Sequence, residues 1–422
     1  MTSTKHADDL ADLPINPKGV GNFKTVLNLT ISVVGIGVLS LPRSIGKSGW
    51  AFSIGLLVTT CFLAHLSLQL LYRSIYKNPT APLATYEDIG KAAWGPKGGI
   101  LVALTTYLNL IAVCACLLLL FKTPLSFLTG LSESTCTFLA FAVVLPFSWI
   151  RSMKELSWLS AIGVGSVLLT LVAVVTFSSF RIMERQTENS NPSFSATPVE
   201  PLALGIGFAT FMNSYTVAPV VPSVLASMRR PSDFPRVSAT AFALVTFIFA
   251  CIGFAGYFGC AEALQTDGSL AKAIMDWVEK NPSSIGHVLN YSVQIGLVVI
   301  CFTHLLALFN PIGTGSEKVA SMIESRWRMS VDQKTEVSMV TACISRTIAL
   351  CACLGLALAV PDFDHLVSLL GSTLVMLLQL IYPFVFYYLL HRDVANKIVV
   401  IGAVLLGVAG MVFGTWGTVM NY

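Results

Sequence analysis

Apolar residues gather along this chain into eleven runs, at 25–45, 50–72, 99–121, 134–150, 156–180, 202–226, 238–260, 287–311, 338–360, 366–390 and 398–419. Each is near the roughly 20 residues that an α-helix needs to cross a hydrocarbon layer. Polar joints between the runs carry nearly all the charge. Two joints are long: 181–201, rich in Ser, Asn and Pro, and 312–337, rich in both signs of charge. The stretch 261–286 differs in kind. Leu264, Leu270, Ile274, Trp277 and Val278 recur at near-helical spacing, which predicts a short amphipathic helix lying at an interface. The pattern predicts an all-α membrane protein of about eleven transmembrane helices, with a polar tail at 1–22 and one transmembrane domain at 23–422.

Composition strengthens this picture. Hydrophobic residues make up 55% of the 422 positions and charged residues only 11%, against about a quarter in soluble domains. Mean hydropathy is +0.75. The net charge of +4 is mild, and the basic residues lie in short loops, so no nucleic-acid partner is expected. Most of the ten cysteines, Cys114, Cys116, Cys301, Cys351 and Cys353 among them, sit inside apolar runs as small core residues. Cys136 and Cys260 fall near one membrane face, where a disulfide is conceivable. Residues 1–22 lack the apolar centre of a cleavable signal, so the first crossing is expected to direct insertion itself.

Lysine and arginine set the orientation. With the N-terminus in the cytoplasm, 19 of the 26 basic residues fall on the inner side and 7 on the outer. This positive-inside bias supports an odd number of crossings and a C-terminus on the far side.

Two of the crossings are built to break. Residues 28–42 read NLTISVVGIGVLSLP: Gly35 and Gly37 weaken the helix in mid-span and Pro42 removes a donor. Close packing through small residues explains such a run equally well by itself. Residues 205–227, GIGFATFMNSYTVAPVVPSVLAS, carry the same GIG triplet, then Asn213, Ser214 and Tyr215, then Pro219 and Pro222. Interrupted segments in matching positions of two halves mark a transporter site. A break offers amide N–H groups to a carboxylate and carbonyls to an ammonium or a cation, a pair of ends that suits a zwitterion.

Four stretches in order resemble the amino acid/auxin permease family: GIGVLSLPRSIGKSGW (35–50), TYEDIGKAAWGPKGG (85–99, with Tyr86, Asp88, Gly90 and Gly95), FMNSYTVAPVVPSV (211–224) and VPDFDHLVSLLGSTLVMLLQLIYPFVFYYL (360–389, with Gly371 and Pro383). The resemblance extends from Phe23 to the end. It implies an inverted 5+5 repeat with broken helices 1 and 6, a LeuT-like fold with a cytoplasmic N-terminus. It places the substrate among helices 1, 3, 6, 8 and 10. The amides near Ile36, Gly37 and Val38 would hold the carboxylate. Carbonyls around Gly35 and Phe208–Phe211 would face the amino group, with Asn213 and Ser214 beside them and Thr303 lining the site from helix 8. Leu305 replaces a proline that often follows that threonine in the family.

Ile31 stands where sodium-dependent relatives often carry an asparagine, which favours a proton over sodium. His65 and His304 are the candidates for proton coupling, since histidine changes charge near neutral pH; a neutral imidazole hydrogen-bonded in the bundle is the simpler role for either. Tyr107 and Asn109 of helix 3 are within possible reach of the site. Arg229, Arg230 and Arg236 are topology anchors. No nucleotide loop, metal-ligand cluster or nucleophile constellation occurs, so neither an enzyme nor a cofactor or metal is expected. The expectation is a monomeric multi-pass carrier of neutral amino acids, proton-coupled and working by alternating access, in the plasma membrane or a vacuolar or lysosomal membrane. The alternatives are a sensor that signals through a partner and a passive facilitator or channel.

Overall fold

The protein is described by a computed structural model. It describes residues 13–34, 37–150, 157–187, 194–198, 200, 202–266, 270–327, 338–360 and 362–420. The helices are α1 (Asn22–Val33), α2 (Gly37–Ser48), α3 (Trp50–Ile75), α4 (Tyr86–Trp94), α5 (Pro96–Leu120), α6 (Lys122–Thr129), α7 (Glu133–Ser148), α8 (Ser157–Thr187), α9 (Ala203–Ser214), α10 (Val221–Ser227), α11 (Phe234–Thr266), α12 (Leu270–Lys280), α13 (Ser284–Trp327), α14 (Met339–Ala359), α15 (Phe363–Leu370), α16 (Tyr382–Leu390) and α17 (Lys397–Met420). A π-helical segment, Gly371–Ile381, joins α15 to α16. Among the described residues, nine helical spans are long and apolar enough to cross a membrane; α1 and α2 form a further span bent by 57°, and α7 is a shorter apolar helix. Each of the eleven predicted runs coincides with one of these segments.

The chain divides into two compact units. The first comprises Met1–Thr106, Ser178–Leu270 and Val367–Tyr422, the second Tyr107–Phe177 and Ala271–Leu366.

In unit one, glycines let helices approach closely. Along α17, Gly407, Gly410, Gly414 and Gly417 form one face; a Cβ on them would press on Ile381, Phe208, Ser372 and Ile206 respectively. Lipid gives two apolar helices no reason to associate, so close packing of small residues supplies the attraction. The GPKGG region has the same logic. Thr85 and Asp88 form a reciprocal capping box at the start of α4. Gly95 terminates α4 with φ of +76°, in open space, so its role is conformational. Gly90 and Gly98 lie so close that a Cβ on Gly98 would sit 2.7 Å from the Gly90 carbonyl. Near the chain's start, Val20 and Met228 form a parallel bridge. The Val20 N–H donates to Ser227 O at 2.8 Å, and the Arg229 N–H to Val20 O at 2.8 Å.

In unit two, Arg346 of α14 is only 1% exposed. Its Nε pairs with Glu317 of α13 at 2.5 Å, and its Nη1 donates to Ser148 O at 2.8 Å and Ile150 O at 3.0 Å, beyond the end of α7. Gly313 leaves room for the guanidinium, since a Cβ there would lie 2.8 Å from Cζ. Arg346 thus ties three helices together. The sequence count of basic residues had assigned it to an inner loop; it is a buried residue inside a helix. The joint expected at 312–337 is likewise helical as far as Trp327. The amphipathic helix predicted at 261–286 forms as α12. Ile274 and Val278 are buried in protein, and Trp277 meets Phe177 edge-on at 5.1 Å between centroids. All ten cysteines, Cys136 and Cys260 included, are free.

Removing the cation from a buried pair strands the carboxylate, at a cost of about 3–5 kcal/mol. We therefore expect Arg346→Met to lower the thermal unfolding temperature of the detergent-purified protein sharply. Arg346→Lys should recover only part of it, because an ammonium cannot reproduce the guanidinium fork. A lysine variant as stable as the parent would reject the fork.

Candidate functional site

The first crossing stops being helical where its sequence says it should. α1 ends at Val33, and the N–H of Val34 closes on Thr30 O at 2.8 Å. The helix resumes at Gly37, and Gly35 and Ile36 lie outside the described residues. Gly37 is where this crossing meets the sixth. A Cβ at Gly37 would fall 2.5 Å from Ser214 Oγ and 2.7 Å from Ser214 Cα, so only glycine permits the approach. Val38 is buried one residue on, and Ser40 donates its hydroxyl back to Gly37 O at 2.8 Å. Pro42 fits because α11 is thinned opposite it: a Cβ on Gly256 would lie 2.8 Å from Pro42 Cγ. Two buried hydroxyls flank the break without a hydrogen-bond partner, Thr30 Oγ1 in α1 and Ser44 Oγ in α2.

The sixth crossing breaks at a different place from its glycines. α9 runs unbroken through Gly205 and Gly207 to Ser214. Those two glycines are packing residues: Gly205 abuts the Phe413 backbone, and a Cβ on Gly207 would collide with Ser48 Oγ. The helix stops at Tyr215, which is buried, and restarts as a single 3-10 turn at Ala218–Val220 followed by α10. Pro219 and Pro222 lie in that restart, where missing N–H groups cost nothing. Of the residues expected to bind substrate, Phe208 and Phe211 stand on continuous helix before the break. Phe208 is in the apolar cluster with Met212, Val375 and Met376, and Phe211 is fully buried. Asn213 and Ser214 are the last residues of α9, at the break; the Ser214 hydroxyl is spent on Thr210 O at 3.0 Å.

The π-helical segment beside the sixth crossing was not foreseen. Gly371 begins it, and a Cβ there would crowd Ala209 O and Asn213. In a π-helix each N–H reaches the carbonyl five residues back, as Tyr382 N–H does to Leu377 O. The next donor would serve Leu378 O, but residue 383 is proline and has none. The Tyr86 hydroxyl takes its place and donates to Leu378 O at 2.7 Å. Burial pushes the Tyr86 phenol well above its ordinary range, so it stays a donor. Tyr86 and Pro383, two residues quoted for the family resemblance, therefore form one device. Farther along, Gln379 reaches the break in the sixth crossing: its Oε1 accepts from the N–H of Val217 at 3.0 Å and of Ala218 at 2.8 Å.

His65 lies on α3 in a ladder facing α11. Gln69 donates to Ser238 Oγ at 2.8 Å, His65 meets Phe242 edge-on at 5.8 Å, and Thr246 donates to Cys61 Sγ at 3.1 Å. Thr246 also bonds the hydroxyl of Tyr215 at 2.8 Å, at the break. Positions 61, 65 and 69 share one helical face by their spacing of four, as do 238, 242 and 246. His65 Nδ1 is buried with no hydrogen-bond partner.

Thr303 and His304 belong to unit two. Thr303 donates to Val299 O at 2.9 Å and Ile300 O at 3.1 Å within its own helix, and its Oγ1 stands 3.0 Å from where a Cβ on Gly163 would be. His304 Nδ1 is 3.2 Å from Ile300 O. Tyr107 packs on Gly315, and Asn109 is buried with its Oδ1 lacking a partner.

Comparison with known proteins bears on the fold and the family. A solved Na+-coupled sialic acid symporter, in a substrate-bound outward-open state, is similar in fold, with a TM-score of 0.61 at 14% identity over 99% of this chain and 95% of that one. The inward-facing transporter Mhp1 gives 0.58 at 12% identity over 97% and 94%. In sequence, the amino acid transporters AVT1E and AVT1D of Arabidopsis thaliana are each 27% identical, over 94% and 97% of this chain and 72% and 71% of their own lengths. The amino acid transporter ANT1 of the same plant is 26% identical over 94% of this chain and 92% of its own. The family model described as transmembrane amino acid transporter protein matches residues 18–420, and this chain, an integral multi-pass membrane protein, belongs to that family.

Proposed function

We propose that the protein carries amino acids across a membrane as a secondary transporter, by alternating access, with no bond made or broken. One observation carries this reading: two crossings break at mid-length and meet at Gly37 and Ser214 in a chain of an amino acid transporter family. In this reading the nine long spans, the bent α1–α2 pair and α7 make eleven crossings of one transmembrane domain, 23–422, arranged as an inverted 5+5 repeat. The tail 1–22 is cytoplasmic, as the excess of basic residues in the inner loops favours even with Arg346 left out of the count. The substrate is a neutral amino acid. Its carboxylate goes to the amides of Ile36, Gly37 and Val38, and its ammonium to carbonyls near Gly35 and the end of α9, from Phe208 and Phe211 to Asn213 and Ser214. The monomer is the working form.

Coupling to protons is proposed on two grounds. Ile31 offers a cation no side-chain oxygen. His65 has an open Nδ1 in a ladder that ends on Tyr215, at the break, so a proton there is felt by the moving part. His304 is the second candidate.

Purified protein in liposomes should take up labelled neutral amino acids, faster with a pH gradient and indifferent to sodium. A folded preparation that moves no amino acid overturns the transport reading, and uptake requiring sodium overturns the coupling. Gly37→Val should abolish uptake while normal amounts reach the membrane, because its Cβ has no space beside Ser214; undiminished uptake would remove the first crossing from the mechanism. His65→Gln should keep amino acid exchange at equal pH but lose stimulation by the gradient. Stimulation that survives in His65→Gln and disappears in His304→Gln would transfer the role to His304.

A further inference from the structure

Gln379 is fully buried on the π-helical segment, and the transport scheme above gives it no role. Two backbone N–H groups converge on one end of its carboxamide. Only the oxygen can accept both, so chemistry fixes which way the amide points. Nε2 is then left buried, with two N–H bonds and no partner. The amides it holds are those of Val217 and Ala218, released where α9 stops, and Val217 is off the helical path with φ of −150° and ψ of −4°.

A plain cap would need an acceptor only. A buried donor without a partner costs about 1–3 kcal/mol, and such groups are rare enough in native proteins to need a reason. The host segment points the same way. Eleven residues of π-helix are rare, and π geometry recurs at functional sites. It is held in place by Tyr86 on Leu378 O, next to Gln379 in sequence, and by Gly371 against α9. The segment is therefore braced on both sides of a residue whose hydrogen bonding is half complete.

We propose that Gln379 is a positioning residue for transport: its oxygen holds the unwound centre of the sixth crossing, and its Nε2 donates to an oxygen acceptor gained in another state of the transport cycle. This rests on the transport reading above. The bond to Val217 and Ala218 and the idle donor are two halves of one group, so the break cannot shift without changing both.

Three measurements on full-length protein test it. Backbone hydrogen exchange over residues 212–224 should speed up in Gln379→Leu and stay near the parent rate in Gln379→Glu, which keeps an acceptor. Uptake by Gln379→Leu should fall about tenfold or more at normal membrane abundance, a change in barrier of about 1.4 kcal/mol. Gln379→Glu provides the donor only when its carboxyl is protonated. Its exchange transport relative to the parent, at equal pH on both sides, should therefore fall as pH rises from about 5 to about 9. Unchanged hydrogen exchange in Gln379→Leu overturns the clamp. A flat ratio across pH for Gln379→Glu overturns the donor role and leaves a plain cap. A parent protein that transports nothing, with exchange still altered in Gln379→Leu, sinks the transport reading and leaves the clamp standing.

Discussion

A backbone that leaves its helix inside hydrocarbon meets no water, so the chain itself must supply a partner for every N–H and C=O it releases. Much of unit one is organised around that demand. The sixth crossing releases the amides of Val217 and Ala218, and a glutamine from the neighbouring π-helical segment receives both. That segment releases Leu378 O, because Pro383 has no N–H to give, and a tyrosine from outside the spans fills it. Each remedy calls in a residue distant in sequence, at separations of 162 and 292 positions. Broken helices of this kind are stable only in the finished fold.

Those remedies require helices closer than ordinary side chains allow. Gly37 against Ser214 and Gly371 against Ala209 bring backbones close together, and the glycine face of α17 receives side chains of α9 and of the π-helical segment. In water, apolar burial would dominate such packing; in lipid it contributes little, and van der Waals fit and polar bonds take over. A single added Cβ is a large perturbation at Gly37 and Gly371, where the atoms it meets are backbone or a short side chain.

The eleven apolar runs were legible in the sequence because a crossing needs a minimum length and hydropathy, which no tertiary contact is required to reveal. The first break was legible in place, since the helix that ends at Val33 resumes at Gly37, within the glycine-bearing stretch, although Gly37 is small because Ser214 packs on it. The break in the sixth crossing was legible in existence but not in place. Gly205 and Gly207 resemble a weak point, yet they are glycines because Phe413 and Ser48 press on them, and those contacts are invisible in one dimension. The helix yields instead at Tyr215, ahead of two prolines. The π-helical segment left no signal that was read from the sequence, and the hydroxyl that serves its Leu378 carbonyl comes from Tyr86, far away in the chain. Arg346 was not legible for a related reason: it stands inside the apolar run 338–360, and its partners Glu317, Ser148 and Ile150 lie on other segments.

Charge and neutral polarity do different work in the two units. In unit two, an arginine and a glutamate fasten three helices. Separating such a pair in a low-dielectric interior costs several kcal/mol, which suits a joint that stays closed. Around the breaks in unit one several ties are neutral: Gln379 to two amides, Tyr215 to Thr246, Thr246 to Cys61, Ser40 to Gly37 O. A neutral hydrogen bond contributes about 1 kcal/mol net and can be exchanged for another of similar worth. Under the proposed alternating access, an element that exchanges partners is better held by bonds of that size than by an ion pair. On that proposal the broken crossings are the elements able to move, and neutral hydrogen bonds are ties that such a movement can exchange.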